Sequence, residues 1–370
     1  MSEIVPIAEV VTGHYRIPLP RVLSDSTHGE IRAFELVTVR LRDEQGLEGV
    51  GFTYTVGHGG SAIRELIDTE LAPLLCGLDT RRHELVWQRM WWRLHYVGRG
   101  GIAGFALSAV DIALADLRGK RCGEPLWRLL GGASDRVAAY AGGVDLEFTE
   151  DELLAEIDEY LAEGFRAVKI KVGRENLEED IERVRAVRRK LGFGFALMID
   201  ANMQWTLHTA TRAVQALRDQ SLFWIEEPIE PDDEDGHRQL AMLGVPIATG
   251  ENLHTEAEFE RMARRGGVSV LQPDVTNIGG VTGWMRVACA AGARNLPVSS
   301  HGAHDIHVHL LAAVPNSSLL EVHRFGLERF LKRPLHLRDG CAVPPEEPGL
   351  GLDFTWEALA SHEVTGRAGE

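Results

Sequence analysis

Two lysines, Lys169 and Lys171, stand two residues apart in a short apolar run at 167–172 that predicts a buried strand. Because side chains alternate across a strand, both ammonium groups point to the same face. Lysine is rarely buried without a partner, so this pair requires anions nearby, either from the protein or from a substrate. The alternative is an edge strand that shows its lysines to solvent and so resists aggregation.

Three acidic residues favour the first interpretation. Asp200, Glu226 and Glu251 end or follow three successive predicted strands, each one strand–helix unit after the last. All three side chains should therefore meet at the carboxyl end of a parallel sheet. Converging carboxylates repel one another unless a cation lies between them, and oxygen ligands with open positions suit Mg²⁺. Any one acid could instead be the N-cap of a helix, but three in the same register favour a metal site.

The next predicted strands end in an acid and an imidazole. Asp274 follows one strand, His301 follows the next, and Glu321 ends the last. A carboxylate beside a histidine fixes its tautomer and raises its pKa, which produces a base that works near neutral pH. A lone histidine is more often structural and a lone aspartate is often a cap. Their positions on adjacent strand ends favour a paired acid–base site.

Three further histidines, His304, His307 and His309, run into a helix predicted at 304–313. With His301 they superficially resemble a metal cluster. They lack the spacing of an HExxH-type motif, so a transition-metal site is disfavoured here.

These side chains need a scaffold that brings strand ends together. From about residue 133, strands alternate with helices, which indicates parallel βαβ units that can close into a barrel. A doubly wound sheet competes, but no GxGxxG motif follows the first strand. The eight predicted strands lie at 136–141, 167–172, 196–200, 222–226, 246–249, 268–272, 296–299 and 318–321.

The flanking regions follow a different pattern. The first 60 residues are predicted as β structure, with strands at 32–41 and 47–55 and an irregular stretch at 21–30. Helices are predicted after them, at 62–75, 84–94 and 103–118, and strands followed by helices are typical of an α+β domain. The last 40 residues, with prolines at 344, 345 and 348, are expected to form a loop-rich segment that packs back on this domain.

Composition limits the class of protein and its partners. A chain of 370 residues predicts two domains, or one large barrel with an appendage. The net charge of −16 argues against a nucleic-acid partner. No apolar run approaches the ~18 residues of a membrane span and no secretory signal is visible at 1–6, so a cytoplasmic protein is expected. The four cysteines form no CxxC motif and are expected to be reduced thiols.

The site residues lie in seven short motifs: KIK (169–171), MIDAN (198–202), WIEEP (224–228), GEN (250–252), PD (273–274) with IGGVTGW (278–284), SSH (299–301) and LLE (319–321). In this order they resemble the mandelate racemase subgroup of the enolase superfamily. Residues 102–132 also resemble the helical cap of that family, through DIAL (111–114) and LLGG (129–132). The resemblance therefore covers nearly the whole chain.

The resemblance implies an α/β fold, a modified TIM barrel of the (β/α)7β type with an α+β capping domain made from both chain ends. The expected domains are a cap at 1–132, a catalytic barrel at 133–325 and a C-terminal segment at 326–370 that packs back on the cap. The resemblance also implies a homo-oligomer.

The resemblance further implies the metal ligands and one substrate contact. Asp200, Glu226 and Glu251 are expected to hold Mg²⁺. Asn202 matches a position that contacts a substrate oxygen. The substrate would be a small carboxylate.

The catalytic roles implied by the resemblance concern five residues. Lys171 is expected to be the base on one face of the substrate, and His301, paired with Asp274, the base on the other. Lys169 and a protonated Glu321 would lie on either side of the substrate carboxylate, where negative charge develops once the α-proton is removed. Lys171 would need a lowered pKa, which Lys169 and the cation would both favour. Lysine or histidine bases with Mg²⁺ are the known pattern of this superfamily.

Bases on both faces permit two reactions. One is dehydration of a sugar acid, an aldonate or aldarate, to a 2-keto-3-deoxy acid. The other is racemisation or epimerisation of a 2-hydroxy acid. The polar character of the cap loops favours dehydration, with His28, His58 and Arg99 as candidate residues for binding substrate hydroxyls.

Two other classes of function are compatible with a barrel but fit this sequence less well. A metal-independent glycoside hydrolase also places two carboxylates at the mouth of a barrel. However, Glu226 and Glu227 are adjacent and point to opposite faces of a strand, and the lysine pair would have no role. A non-catalytic carbohydrate-binding barrel is disfavoured because every expected catalytic position is filled.

Overall fold

A three-stranded antiparallel sheet forms the first part of the N-terminal region. In the computed structural model, which describes residues 4–365, β1 (Ile7–Asp25), β2 (Gly29–Asp43) and β3 (Glu48–Thr55) pair in that order. The prediction of an irregular stretch at 21–30 was wrong, because β1 and β2 form a hairpin in which Asp25 pairs with Gly29. The register shifts between Pro18 and Leu23. This irregularity interrupts the alternation by which a strand is recognised.

Helices follow this sheet, and all but the short one at 126–129 agree with those predicted. They are α1 (Gly60–Leu66), a π-helical turn (Ile67–Leu71), α2 (Ala72–Leu75), α3 (His83–Leu94), α4 (Ile102–Cys122) and α5 (Leu126–Leu129). α4 lies against β3 at Gly49 and Gly51, where no side chain separates the two backbones. A Cβ at Gly51 would lie 2.3 Å from the carbonyl oxygen of Ala109, so only glycine permits this approach.

Parallel strands form the second region. They are β4 (Val137–Gly142), β5 (Ala167–Lys171), β6 (Ala196–Asp200), β7 (Trp224–Glu226), β8 (Ile247–Thr249) and β9 (Val270–Leu271), followed later in the chain by β10 (Leu320–Val322). β4 to β9 pair in chain order, and β10 pairs with β4. Where a strand was predicted at 296–299, Val298 forms only isolated bridges, one to Leu271 and one to Ser317.

Seven helices alternate with these strand positions, which gives the (β/α)7β barrel and capping region that the sequence predicted. They are α6 (Glu150–Ala162), α7 (Leu177–Leu191), α8 (Leu207–Leu217), α9 (Glu234–Ala241), α10 (Glu256–Arg265), α11 (Gly280–Gly292) and α12 (His304–Ala313). A 3₁₀ turn at 218–220 follows α8. α9 was missed from the sequence. It is only eight residues long, and its first turn is held by the Asp233 carboxylate, which accepts a hydrogen bond from the Gly236 amide at 2.8 Å.

The C-terminal segment contacts both regions. It contains a 3₁₀ turn (Leu327–Phe330), β11 (His336–Arg338), β12 (Cys341–Val343) and α13 (Trp356–Ala360), and so it is less irregular than expected. Ala342 of β12 pairs with Val137 of the barrel, and the Val364 amide donates to the His14 carbonyl of β1 at 2.8 Å. The outer ends of the predicted domains, 1–3 and 366–370, lie outside the described residues.

Two simpler expectations concern membranes and thiols. From residue 4 to residue 365, no helix is both long and apolar enough to cross a membrane. All four cysteines are free: Cys76, Cys122 and Cys289 are exposed, and Cys341 is partly buried.

Candidate active site

The register of three neighbouring strands places the key side chains together. Lys171 of β5 pairs with Asp200 of β6, and Asp200 pairs in turn with Glu226 of β7. Glu251 follows β8 directly after Gly250, where a Cβ would lie 2.5 Å from the backbone of Gln272. The glycine thus lets the chain turn closely past the next strand.

The carboxylates of Asp200, Glu226 and Glu251 form a cluster that fits a divalent cation. One oxygen from each lies within 4.8 Å of the other two, and no other such group of three occurs in the described part of the chain. Oε2 of Glu251 is buried and accepts no hydrogen bond of regular geometry, although His301 Nε2 lies 3.2 Å from it. Three convergent carboxylates are a donor set suited to Mg²⁺.

The two lysines face these acids. Lys169 Nζ lies 2.5 Å from Glu226 Oε1 and 2.8 Å from Glu321 Oε1, and Lys171 Nζ lies 2.6 Å from Asp200 Oδ2. Burial lowers the pKa of Lys171, but the carboxylates of Asp200, Glu251 and Asp25 together outweigh burial and raise that pKa above its ordinary value. Lys169 does oppose this rise, as expected, but the protein's own charges do not give Lys171 the lowered pKa that was anticipated.

His301 lies between two acids on the other side of the cluster. Its Nδ1 is 2.9 Å from Asp274 Oδ2 and its Nε2 is 3.2 Å from Glu251 Oε2. Burial lowers the pKa of His301, but the charge of Glu251 and the hydrogen bond to Asp274 raise it to about 10. The predicted pairing of His301 with Asp274 is therefore present in the structure.

Asp274 is held in place by groups from both regions. Its Oδ1 accepts hydrogen bonds of 2.7 Å from the amide and from the hydroxyl of Thr276. The hydroxyl of Tyr54, on β3 of the cap, donates to its Oδ2 at 3.3 Å. Sequence reasoning missed Tyr54, because nothing local indicates that a tyrosine on a cap strand reaches the barrel.

Glu321 closes the ring of charged groups beside Lys169. Its Oε2 accepts a hydrogen bond from the Gly302 amide at 2.9 Å. A Cβ at Gly142 of β4 would lie 2.7 Å from its Oε1, so glycine leaves the room that this carboxylate fills. Burial raises the pKa of Glu321, but Lys169 and His301 outweigh burial and lower it below its ordinary range. The substrate-free protein thus favours the ionised form, whereas the sequence argument required a protonated acid.

Glu226 also has partners that the sequence did not reveal. Trp224 Nε1 donates to its Oε2 at 3.0 Å, and the side-chain amide of Gln272 donates to the same oxygen at 2.7 Å. The neighbouring Glu227 turns away and accepts hydrogen bonds from Thr249 and Asn252. Only Glu226 of this adjacent pair belongs to the metal cluster, as expected for side chains on opposite faces.

A turn of the cap is attached to the barrel mouth. The hydroxyls of Ser26 and Thr27 donate to the carbonyls of Ala201 and Asn202 at 2.9 and 2.5 Å. These are the two residues that follow Asp200, so the turn between β1 and β2 lies directly beside the metal cluster.

Two of the four candidate substrate-binding residues lie at this mouth. His28 is the last residue of the attached turn, and its Nδ1 lies 2.9 Å from Asp25 Oδ2. That hydrogen bond, opposed by burial and supported by the charge of Glu251, raises the pKa of His28. Asn202 is buried, and its side-chain amide lies 3.5 Å from Glu251 Oε1.

The other two candidates are not brought to the cluster. His58 is exposed in the loop between β3 and α1 and has no hydrogen bond or ion pair with a residue of the cluster. Arg99 is exposed and lines a separate groove of about 650 Å³ between the cap helices and α10. The glycine-rich loops around these two residues were compatible with many positions, which is why the sequence could not place them.

The histidines of α12 have structural partners. His307 Nε2 accepts from the Val275 amide at 3.0 Å, and its Nδ1 lies 2.9 Å from the Gly302 carbonyl. His309 Nε2 lies 3.0 Å from the Leu350 carbonyl. Burial lowers the pKa of both imidazoles.

Comparison with known proteins identifies the family. Residues 7–131 match the mandelate racemase / muconate lactonizing enzyme N-terminal domain, and residues 152–358 match the enolase C-terminal domain-like family. The chain belongs to the enolase superfamily, in its mandelate racemase/muconate lactonizing enzyme family. Its relatives are Mg²⁺-dependent enzymes that act on acid sugars, among them dehydratases and cycloisomerases.

Three similar proteins illustrate this range. A 3,6-anhydro-α-L-galactonate cycloisomerase of Streptomyces coelicolor is 50% identical over 95% of this chain and 98% of its own. The crystal structure of a racemase from the same species with bound magnesium has a TM-score of 0.95 and 49% identity, and the match covers 97% of this chain and 100% of that one. The crystal structure of an L-talarate dehydratase of Polaromonas, complexed with Mg and L-glucarate, has a TM-score of 0.92 and 33% identity. The match covers 97% of this chain and 98% of that one.

These findings establish that this superfamily member is an enzyme whose cofactor is Mg²⁺. The acidic cluster of Asp200, Glu226 and Glu251 can hold that ion. Similar proteins bind small carboxylates such as glucarate together with magnesium.

Replacing Glu226 by Gln should weaken Mg²⁺ binding by more than about 100-fold, beyond the range seen when only an outer-shell partner of a metal ligand is lost. Gln keeps an oxygen that can accept the hydrogen bond from Lys169, so the fold should persist. Saturating Mg²⁺ should raise the melting temperature of the unaltered protein, because the ion binds the native state. It should not do so for Glu226→Gln. Calorimetric titration and thermal melts measure both effects.

The control for this experiment is Glu230→Gln, an exposed acid just after the same strand, which should leave Mg²⁺ binding unchanged. Full turnover by the metal-stripped enzyme, or equal stabilisation of both variants by Mg²⁺, would contradict the site.

Proposed function

We propose that this enzyme removes the α-proton of a sugar-acid carboxylate and expels the oxygen on the β-carbon. The observation that carries the proposal is that Lys171 and His301 contact different acids of one metal cluster. Lys171 approaches it at Asp200, and His301 approaches it at Glu251. A carboxylate substrate held at this cluster would therefore have a proton-transfer group on each side.

The surrounding residues support the same chemistry. Loss of the α-proton moves negative charge onto the carboxylate oxygens, and bound Mg²⁺ would stabilise that charge as a Lewis acid. Lys169 is fully buried among acids and can donate hydrogen bonds to the same oxygens. Asp274 fixes the ring of His301, and Glu321 lies 2.8 Å from Lys169, beside the expected position of the substrate carboxylate.

For the leaving group, we favour a ring oxygen. In a 3,6-anhydro acid the oxygen on carbon 3 also joins carbon 6. When the carbon 2 proton is removed and the bond from carbon 3 to oxygen breaks, the ring opens. The freed oxygen takes up a proton, and the enol product becomes a 2-keto-3-deoxy acid with the same atoms as the substrate. The 50% identity to a cycloisomerase of this kind, over nearly the whole of both chains, supports this choice.

Dehydration of an aldonate or aldarate is the second candidate. It uses the same proton transfers, but the β-hydroxyl leaves as water. The similarity to an L-talarate dehydratase supports it. Racemisation, in which the proton returns from the opposite face without loss of oxygen, needs the same two groups. A homo-oligomer and a cytoplasmic location also stay predictions.

The mass of the product separates these reactions. Incubation with 3,6-anhydro-α-L-galactonate and with L-talarate, each followed by mass spectrometry, should give a ring-opened keto acid of unchanged mass from the first. A product lighter by one water from the second would favour dehydration. Epimerisation would instead give a product that keeps all its oxygens and any ring but has inverted configuration at carbon 2. Its mass would be unchanged in H₂O, and it would carry one deuterium when formed in D₂O. If neither acid nor a panel of aldonates is turned over or deuterated, the proposed function is wrong.

Replacement of each proton-transfer residue should affect one face of the substrate. The probe is 3,6-anhydro-α-L-galactonate together with its epimer at carbon 2, incubated in D₂O. His301→Asn should lower α-proton exchange of one epimer by about 100-fold or more, the usual contribution of a general base, and leave the other epimer largely unaffected. Lys171→Ala should do the reverse. Loss of exchange from the same epimer in both variants would show that the two residues do not face each other.

A further inference from the structure

A buried ion pair lies next to the site without belonging to it. Asp145, in the loop after β4, and Arg183, in α7, are both buried, and Arg183 Nη2 lies 2.6 Å from Asp145 Oδ1. Neither residue is a candidate metal ligand or contacts the metal cluster. A buried ion pair is weak evidence for a role in stability, because desolvation offsets much of the attraction. Another role for this pair is therefore worth testing.

Both members of the pair bind the backbone of Lys171. The Lys171 amide donates to Asp145 Oδ1 at 3.0 Å, and Arg183 Nε donates to the Lys171 carbonyl at 3.2 Å. The peptide groups on both sides of the Lys171 Cα are thus fixed by one carboxylate and one guanidinium.

The sheet topology explains why side chains are needed here. The pairing of β4 with β5 ends where Gly142 pairs with Lys169. The last backbone hydrogen bond between these two segments runs from the Gly143 amide to the Lys169 carbonyl. Beyond that point β4 leaves its neighbour. The Asp145 carboxylate then takes the place of the missing backbone acceptor for Lys171. A Cβ at Gly143 would lie 2.2 Å from Asp145 Oδ2, so glycine makes room for this replacement.

Arg183 ties the same point to the rest of the loop. Its Nη1 donates to the Phe148 carbonyl at 2.9 Å, and its Nη2 donates to the Asp145 carbonyl at 2.5 Å. One rigid guanidinium therefore connects α7, the loop after β4 and the end of β5. A lysine could not reproduce this fork of donors.

We infer that Asp145 and Arg183 are positioning residues for Lys171, which hold the end of β5 so that its ammonium meets one face of the substrate α-carbon. This inference rests on the proposed function. The pair acts through the backbone, because the nearest carboxylate to the Lys171 ammonium is that of Asp200 at 2.6 Å. His301 is on a different element and does not depend on the pair.

The test compares proton exchange on the two faces of the substrate. In D₂O, with 3,6-anhydro-α-L-galactonate and its carbon 2 epimer as probes, Asp145→Asn and Arg183→Lys should each lower exchange through Lys171 by about 10- to 100-fold, the scale of a small misplacement of a reacting group. Exchange through His301 should change by less than about twofold, since that residue keeps its geometry. In both variants, kcat should fall for the substrate epimer whose α-proton is removed by Lys171, and KM should be nearly unchanged.

Asp180→Asn is the matched control. Asp180 is also buried and also accepts backbone hydrogen bonds, from the amides of Gly173 and Arg174, but it does not touch Lys171. This variant should leave the ratio of exchange on the two faces unchanged. Residue-resolved amide exchange supplies a readout independent of substrate: the Lys171 amide should lose protection in Asp145→Asn and keep it in Asp180→Asn.

The outcomes are distinct. The positioning role would be overturned if the Asp145 and Arg183 variants lost exchange equally on both faces, or if they lost none. Either result leaves the ratio of exchange through Lys171 to exchange through His301 unchanged, and the proposed function would stay intact. A wild-type enzyme that neither turns over nor exchanges either epimer would contradict the proposed function itself. Mg²⁺-dependent stabilisation of each variant, measured by thermal melts, shows whether the variant is folded, and Arg183→Lys decides the matter if Asp145→Asn does not fold.

Discussion

The central constraint on this molecule is the balance of charge at the carboxyl ends of its barrel strands. Lys169, Asp200 and Glu226 are all at most 1% exposed, in surroundings where an unpaired charge is strongly unfavourable. Each ammonium therefore contacts a carboxylate, and the carboxylates outnumber the ammonium groups. The excess of negative charge is what a divalent cation would neutralise. Removing any one member leaves its neighbours uncompensated, which makes this cluster both sensitive to substitution and responsive to the metal.

Backbone geometry holds this charged cluster in place. The parallel register sets Lys171, Asp200 and Glu226 side by side, and glycines at the strand ends leave room for the carboxylates that surround them. The cap contacts both the backbone and the side chains of the barrel. Its turn at 26–28 donates to backbone carbonyls, and the Tyr54 hydroxyl donates to the Asp274 carboxylate. Because these contacts join the two regions at the mouth, the site depends on both, although every proposed base and metal ligand comes from the barrel.

The features that could be predicted from the sequence are those that repeat with a local period. Asp200, Glu226 and Glu251 follow successive strands, so their convergence could be inferred from spacing alone. The hairpin at 21–30 was missed because a register shift disrupts the alternation of its strand. The helix α9 was missed because its eight residues are too few to show a clear helical period. Tyr54, Asp145 and Arg183 reach the site region through long-range packing, which a single sequence does not encode in any local pattern. The charges that raise the pKa of Lys171 and lower that of Glu321 in the protein without metal or substrate also depend on long-range packing.

The most direct test of this account is a crystal structure of the enzyme with Mn²⁺ in place of Mg²⁺, located by its anomalous scattering. The account predicts one strong peak within ligand distance of the carboxylates of Asp200, Glu226 and Glu251, with Lys171 Nζ and His301 Nε2 on opposite sides of the adjacent cavity. No peak at these acids under saturating Mn²⁺, or both nitrogens on the same side, would contradict it.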